Sequence, residues 1–165
     1  MYVCYNILGS DMVKKLYLYM FLFVLVDQVS KNLVDFYITL NNSISIISNF
    51  FSLTYVRNIG AAFSLLKGSR YFLIIASIIA LNIIFIYFIK GKKLSNYNLI
   101  VYSMLLGGIL GNLIDRILYG YVIDFLDFTI FGFDFAIFNL ADTFIVISII
   151  LIVIGEIYAN KSRCK

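Results

Sequence analysis

Four long apolar runs dominate the chain, and shorter stretches that collect the polar and charged residues separate them. Residues 16–34, 71–89, 97–114 and 138–158 each approach the roughly 20 mostly apolar residues that a bilayer-spanning helix needs. Nineteen helical residues rise about 28 Å, enough to cross the hydrocarbon layer. The first run carries Asp27 and Lys31 late, the second has no charge, the third ends in a polar cluster and the fourth begins with one. Two stretches between the runs are too long for passive turns. In residues 36–70, Ile44-Ser-Ile-Ile-Ser48 and Ser52-Leu-Thr-Tyr-Val56 alternate partly and are rich in β-branched and aromatic residues, which predicts a small sheet at the membrane surface. Residues 61–66 are predicted as a short interfacial helix. Residues 117–136 form the second such segment, with Gly120 and Gly132 as turn points.

Charge sets an orientation. Eight basic residues lie at one end of the four runs: Lys14 and Lys15, then Lys90, Lys92 and Lys93, then Lys161, Arg163 and Lys165. The opposite end holds Lys31, Arg57, Lys67, Arg70 and Arg116 together with seven of the nine acids. The positive-inside rule then places both termini in the cytoplasm and the acids toward the outer face. The first run has a basic start like a cleaved signal peptide. It is long, carries Asp27 and Lys31, and lacks an Ala-x-Ala-like site, so it is read as a retained helix. Met12-Val-Lys-Lys resembles a start, which makes residues 1–11 an expected start-site extension.

Composition narrows the chemistry. With 62% hydrophobic and 13% charged residues and a mean hydropathy of +0.98, the chain has too few polar residues to cover a water-soluble globule. It has no His, no Trp and no Pro. Without His, neither Ser-His-Asp nor Cys-His catalysis is open to it, nor any His-ligated metal site. Cys4 and Cys164 sit at the two ends with no metal-like spacing. The net charge of +4 reflects topology rather than a nucleic-acid partner.

Polar groups at membrane depth are costly and usually functional. Asp27 and Lys31, four apart, share a helix face, where a plain structural pair is an equally good reading. Gly108, Asn112, Asp115 and Arg116 share another, with Gly111 beside them; Asp115–Arg116 reads as an ion pair and the glycines as close packing. Asp127 and Asp134 read as solvated loop acids. Asn139 and Asp142 open the fourth run, and Asp142 has no basic residue within ten positions on either side. Two carboxylates brought together cannot both ionise easily, so one keeps a proton and the pair can hold a water between them. That is the chemistry of aspartic peptide hydrolysis, which requires neither cofactor nor metal. A proton or cation relay and a structural membrane subunit use the same residue types, although runs two and four lack the central charges a transmembrane path would need.

Five motifs, in order, resemble the lipoprotein signal peptidase family (signal peptidase II). They are Asp27-Gln-Val-Ser-Lys31, Asn58-Ile-Gly-Ala-Ala-Phe-Ser64, Gly107-Gly-Ile-Leu-Gly-Asn-Leu-Ile-Asp-Arg116, Val122-Ile-Asp-Phe125 and Phe138-Asn-Leu-Ala-Asp-Thr-Phe-Ile145. The resemblance covers about residues 12–160. It implies an all-α integral membrane protein of four transmembrane helices with an extracytoplasmic β-sheet cradle, forming one aspartyl peptidase domain over residues 1–165. It implies an intramembrane aspartic endopeptidase that removes the signal peptide from diacylglyceryl-modified bacterial prolipoproteins just before the lipid-modified cysteine of the lipobox. By the same resemblance Asp124 and Asp142 are the catalytic pair. Asn58, Gly60, Asn112, Arg116 and Asn139 would line or support the site, and Asp27 and Lys31 would brace it. The implied setting is a monomer in the bacterial cytoplasmic (inner) membrane, in contact with lipid, its active site toward the outer face and open to globomycin-type inhibitors. One departure is that many members carry Trp-Pro just before the last motif, where this chain reads Phe135-Ala-Ile.

Overall fold

The computed structural model describes residues 10–60 and 68–163. The interfacial helix expected over residues 61–66 lies outside the described residues. Four helices and a small sheet follow one another along the chain: α1 (Ser10–Tyr37), β1 (Ser43–Ile47), β2 (Phe51–Asn58), α2 (Arg70–Ile84), α3 (Asn96–Leu118), β3 (Val122–Ile130), β4 (Phe133–Asp134) and α4 (Leu140–Arg163). A π-helical turn, Phe85–Ile89, extends α2. Three helical stretches, Arg70–Ile89, Asn96–Leu118 and Leu140–Tyr158, are long and apolar enough to cross a membrane. The first helix is the longest, at 28 residues, and carries Asp11, Lys14, Lys15, Asp27, Lys31 and Asp35 among its apolar residues.

The helices are arranged around α3. Most of its residues are buried, whereas α2 and α4 keep broad apolar faces exposed. Such an inside-out distribution suits a lipid environment, where apolar exposure carries no penalty and packing must come from close fit. The glycines of α3 supply that fit. A Cβ on Gly107 would stand 2.7 Å from Phe23 Cβ of α1, and one on Gly108 would stand 2.6 Å from the Ala141 carbonyl oxygen of α4. A Cβ on Gly111 would collide with the Asp27 carboxylate. The three glycines thus let α1 and α4 approach α3 at backbone distance. At one end of the bundle Leu16, Ile89, Leu99, Tyr102 and Leu106 pack together; at the other, Val34 of α1 and Ile38 just beyond it pack under Tyr55, Ile123 and Phe125 of the sheet.

The sheet is antiparallel in the order β1-β2-β3-β4. The alternation in residues 44–56 correctly signalled β1 and β2. The continuation of the sheet through Val122–Ile130 was not anticipated, because that stretch was read only as a motif and a loop. Arg57 pairs with Ile123, Asn58 with Val122 and Val56 with Asp124. A bulge between Leu53 and Val56 shifts the register. Successive strand residues face opposite sides, so Tyr55, Ile123 and Phe125 pack on α1 while Asn58 and Asp124 turn to the other face. The Tyr55 hydroxyl donates to Asp35 of α1 and accepts from Arg57 Nε at 2.9 Å. Burial and then this bond to Asp35 push the Tyr55 phenol up to about 12, so it stays protonated and holds the sheet to the end of α1.

A buried charge cluster joins the helices. Lys31 is 1% exposed, and its Nζ lies 2.8 Å from Asp27 Oδ2 and 2.9 Å from Asp115 Oδ2. The expected Asp115–Arg116 pair is not formed. Neighbouring residues on a helix point about 100° apart, so Asp115 turns inward to Lys31 and to Gln28 Nε2 at 2.8 Å. Arg116 turns toward the carbonyls of Asn112 and Gly60. Asp127 is likewise not a free loop acid: it lies on β3 and accepts from Thr54 Oγ1 at 2.6 Å. The lone charge on the exposed β4 face, Asp134, accepts from Thr129 at 2.9 Å.

Two outcomes follow for stability. Gly108→Val places bulk against the α4 backbone and should cost about 1–3 kcal/mol, read as a lower melting temperature in detergent. Lys31→Met strands two buried carboxylates and should cost about 3–5 kcal/mol; a variant melting as the wild type would show that the cluster holds nothing together.

Candidate active site

The C-terminal parts of α1 and α3, the N-terminal end of α4 and one face of β3 converge on a polar site. Asp124 is carried by β3 and is 3% exposed. Its Oδ2 accepts from Asn58 Nδ2 at 2.9 Å and its Oδ1 from Asn139 Nδ2 at 2.7 Å. The Asn58 amide is set by its own carbonyl oxygen, which accepts from the Gly60 backbone N–H at 2.9 Å. The Gly60 carbonyl in turn accepts from Arg116 Nη2 at 3.2 Å.

Asp142 comes from the first turn of α4, where local sequence dictates its geometry. Asn139 stands at the N-cap: its Oδ1 accepts from the Asp142 N–H at 3.0 Å, and Asp142 Oδ2 accepts from the Asn139 N–H at 3.3 Å. This reciprocal pair is a capping box. It satisfies otherwise orphaned N–H groups and holds one Asp142 oxygen in place. The other, Oδ1, accepts from Asn112 Nδ2 of α3 at 2.7 Å. No basic side chain is needed as the partner of Asp142; an amide from another helix serves.

The orientation of Asn112 follows from its neighbours. Its Oδ1 accepts from Lys31 Nζ at 2.9 Å and from Asn139 Nδ2 at 3.2 Å. An ammonium can only donate, so the oxygen must face Lys31 and the NH₂ must face Asp142. Lys31 therefore reaches Asp142 through one amide. Asp27 anchors the same region from the other side, accepting from the Ala141 N–H at 3.0 Å through Oδ1. Gln28, which the sequence analysis passed over although it lies within the first motif, donates to Asp27, to Asp115 and to the Gly111 carbonyl. A carboxamide directly after a buried acid on an apolar helix was the signal available for it.

All nine residues singled out in the sequence thus meet in one network. Asn58, Asn112, Arg116, Asp124 and Asp142 also border a cavity of about 580 Å³, closed on one side by residues 135–138 and on the other by α4 as far as Ile147. Just after Phe135-Ala-Ile, which stands where many members carry Trp-Pro, Phe138 bridges to Leu126 and its ring stacks on Phe128. A smaller cavity of about 290 Å³, between α2, α3 and α4, reaches Asn112, Arg116 and Asp142 from the far side. Among the described residues, no group of three or more His, Cys, Asp or Glu side chains is placed to hold a metal ion. Burial, and then the nearby charge of Asp142, push the Asp124 carboxyl up to about 6 against the pull of its bonds to Asn58 and Asn139. A buried, proton-retaining carboxyl beside a second carboxyl at the wall of an apolar cavity can polarise a bound water or a substrate carbonyl.

Comparison with known proteins agrees with the motifs. The family described as "Signal peptidase (SPase) II" matches residues 19–158. A lipoprotein signal peptidase of Fusobacterium nucleatum is 40% identical over 158 residues, covering 94% of this chain and 93% of that protein. The lipoprotein signal peptidase of Staphylococcus aureus (strain Newman) is 42% identical over 140 residues, covering 85% and 86%. A bacterial membrane enzyme solved in meso at 2.3 Å resolution superposes with a TM-score of 0.83 at 37% identity, over 91% of this chain and 92% of the other. A second, at 1.9 Å, gives 0.77 at 36% identity, over 93% and 97%. With a family match across most of its length and relatives that it covers almost end to end, the chain belongs to the signal peptidase II family, the membrane peptidases of lipoprotein processing.

Proposed function

We propose that this member of the signal peptidase II family is an aspartic endopeptidase in which Asp124 and Asp142 activate the hydrolytic water. The observation that carries this reading is that two carboxylates from different elements, β3 and α4, border one cavity and are both bound by Asn139, whose Nδ2 donates to Asp124 and whose backbone N–H donates to Asp142. The pair shares one proton. The ionised carboxylate takes a proton from water, and the protonated one hydrogen-bonds the scissile carbonyl oxygen. The resulting hydroxide adds to the carbonyl carbon, and collapse of the tetrahedral intermediate passes a proton to the leaving nitrogen. Asn58, Gly60, Asn112, Arg116 and Asn139 orient the carboxylates and the substrate backbone, while Asp27 and Lys31 brace them. Aspartic hydrolysis of this kind needs neither His nor a cofactor, so the residue set of the chain is sufficient for it.

The substrate on this reading is a diacylglyceryl-modified prolipoprotein, cut just before its lipid-modified cysteine. Its signal helix and acyl chains prefer lipid, and the cavity wall formed by Phe135, Ile137, Phe138, Ile145, Val146 and Ile147 is apolar enough to receive them. In this reading α1 is a fourth span, the charge cluster being shielded against α3 and α4. The residues form one domain that acts as a monomer in the bacterial cytoplasmic membrane. Both termini face the cytoplasm and the acids face outward, following the basic residues at the opposite end. A globomycin-type inhibitor would occupy the same cavity.

Asp124→Asn and Asp142→Asn should each lower cleavage of a lipid-modified prolipoprotein by about 10³-fold or more while the protein stays folded. A gel-shift assay reads this directly, and full activity in either variant overturns the pairing.

A pH dependence of stability also follows. The Asp124 carboxyl lies near 3.8 when unfolded and at about 6 when folded. Its contribution is fully present below the lower value and is lost as pH rises through the upper one. Asp124→Asn removes that loss. Its melting temperature relative to the wild type should therefore rise between about pH 4 and about pH 7, by the equivalent of on the order of 2–3 kcal/mol. A pH-independent difference would contradict the raised value.

A further inference from the structure

The β3–β4 hairpin carries a cluster of aromatic side chains that its own fold does not use. Ile130 pairs with Phe133, leaving Phe131 and Gly132 as a two-residue turn with positive φ at both positions, 52° and 79°. Such turns favour Asn-Gly, because a bulky side chain is strained in the left-handed region. Phe131 nevertheless occupies the first position with 97% of its surface exposed, so no packing among the described residues compensates the strain. Phe133 and Phe135 are 75% and 53% exposed. Strand alternation sets Phe133 on the face opposite Asp134, the one charged residue between positions 128 and 138, whose carboxylate is taken up by Thr129.

The place of this hairpin relative to α4 indicates what covers it. Residues 135–138 line the same cavity as Val146 and Ile147. Val146 lies six residues into α4, about 9 Å down the helix axis, within the stretch long and apolar enough to cross a membrane. Val146 and Ile147 are themselves 55% and 43% exposed. The chain leaving the hairpin therefore runs beside the exposed apolar surface of a helix long enough to span a membrane, below the start of that helix, and carries the aromatic residues of the hairpin next to it. Aromatic side chains are favoured at this level of a bilayer.

We propose that the β3–β4 hairpin is a membrane anchor whose Phe131 and Phe133 lie in the interfacial layer of the lipid bilayer beside α4. The anchor holds the arm 135–138, one wall of the cavity, against the bilayer from which a lipid-borne substrate would come. The proposal rests on the membrane location of the family and not on the aspartic mechanism.

The absence of Trp from the chain makes the test direct. Phe131→Trp introduces a sole indole, and Ile150→Trp, at a half-exposed position on α4, supplies a reference within the span. Each protein is reconstituted in phosphatidylcholine–phosphatidylglycerol vesicles with and without dibrominated acyl chains. Phe131→Trp is expected to lose about half or more of its emission in the brominated lipid, most strongly with bromines close to the headgroup, and to be shielded from iodide. Emission unaffected by brominated lipid, while Ile150→Trp in the same vesicles is quenched, overturns the proposal. That result with iodide shielding would mean a protein partner covers the hairpin, and with iodide quenching that it stands in water. Phe133→Trp provides the same measurement should the first variant not fold. The readout is independent of cleavage, so its failure and that of the catalytic reading are separable.

Discussion

The Lys31 ammonium is the point on which the rest of the structure depends. It sits out of reach of water and binds one group from its own helix, Asp27, and two from α3, Asp115 and Asn112. Moving such charges out of water costs several kcal/mol per ion, and their mutual attraction offsets this only when the geometry is close and the remaining lone pairs are filled. Here the filling is done by Gln28 and by the Ala141 N–H. A purely apolar core could join three helices as firmly. It could not dictate which way an amide faces. Lys31 forces the Asn112 oxygen toward itself and so the NH₂ toward Asp142, converting a packing interaction into orientation at the site.

That cluster exists only because the helices approach closely. Gly107 and Gly108 bring α1 and α4 to backbone distance from α3, and Gly111 leaves room for the Asp27 carboxylate. Once the backbones are this near, a short side chain such as Asp27 can reach the first turn of α4. The capping box of Asn139 and Asp142 then aims the α4 carboxylate, and the sheet delivers Asp124 from the opposite side. The sheet is itself held to α1 by Tyr55, Asp35 and Arg57. Packing, charge and capping are successive conditions for one geometry.

Much of this was legible in the chain. Helices announce themselves by runs of apolar residues, and the polar residues interrupting those runs are conspicuous because lipid offers them no solvation. Asp27, Lys31, Asn112, Asn139 and Asp142 stood out for that reason. The misreadings have an equally physical origin. Asp115 and Arg116 are adjacent in sequence, and opposite charges side by side suggest a pair; helical geometry sends them in different directions. Val122–Ile130 carries two acids and follows a turn, so it reads as a loop until β2 is there to pair with it. Gln28 has no charge to draw attention, and two of its three partners lie more than eighty residues away.

By itself the sequence determined the membrane setting, the helical runs, the first strands and the residue types available for chemistry, because hydropathy, period and the absence of His are local properties of the chain. The motifs also identified the family. Tertiary structure alone decided which acid faces which partner: Asp115 to Lys31, Asp142 to Asn112, Asp124 to Asn58 and Asn139. It also decided that Asp124 holds its proton to about pH 6, since that depends on burial and on a carboxylate eighteen residues away in sequence. Hydrogen-bond partners and local dielectric are set by contacts between distant segments, and no local pattern encodes them.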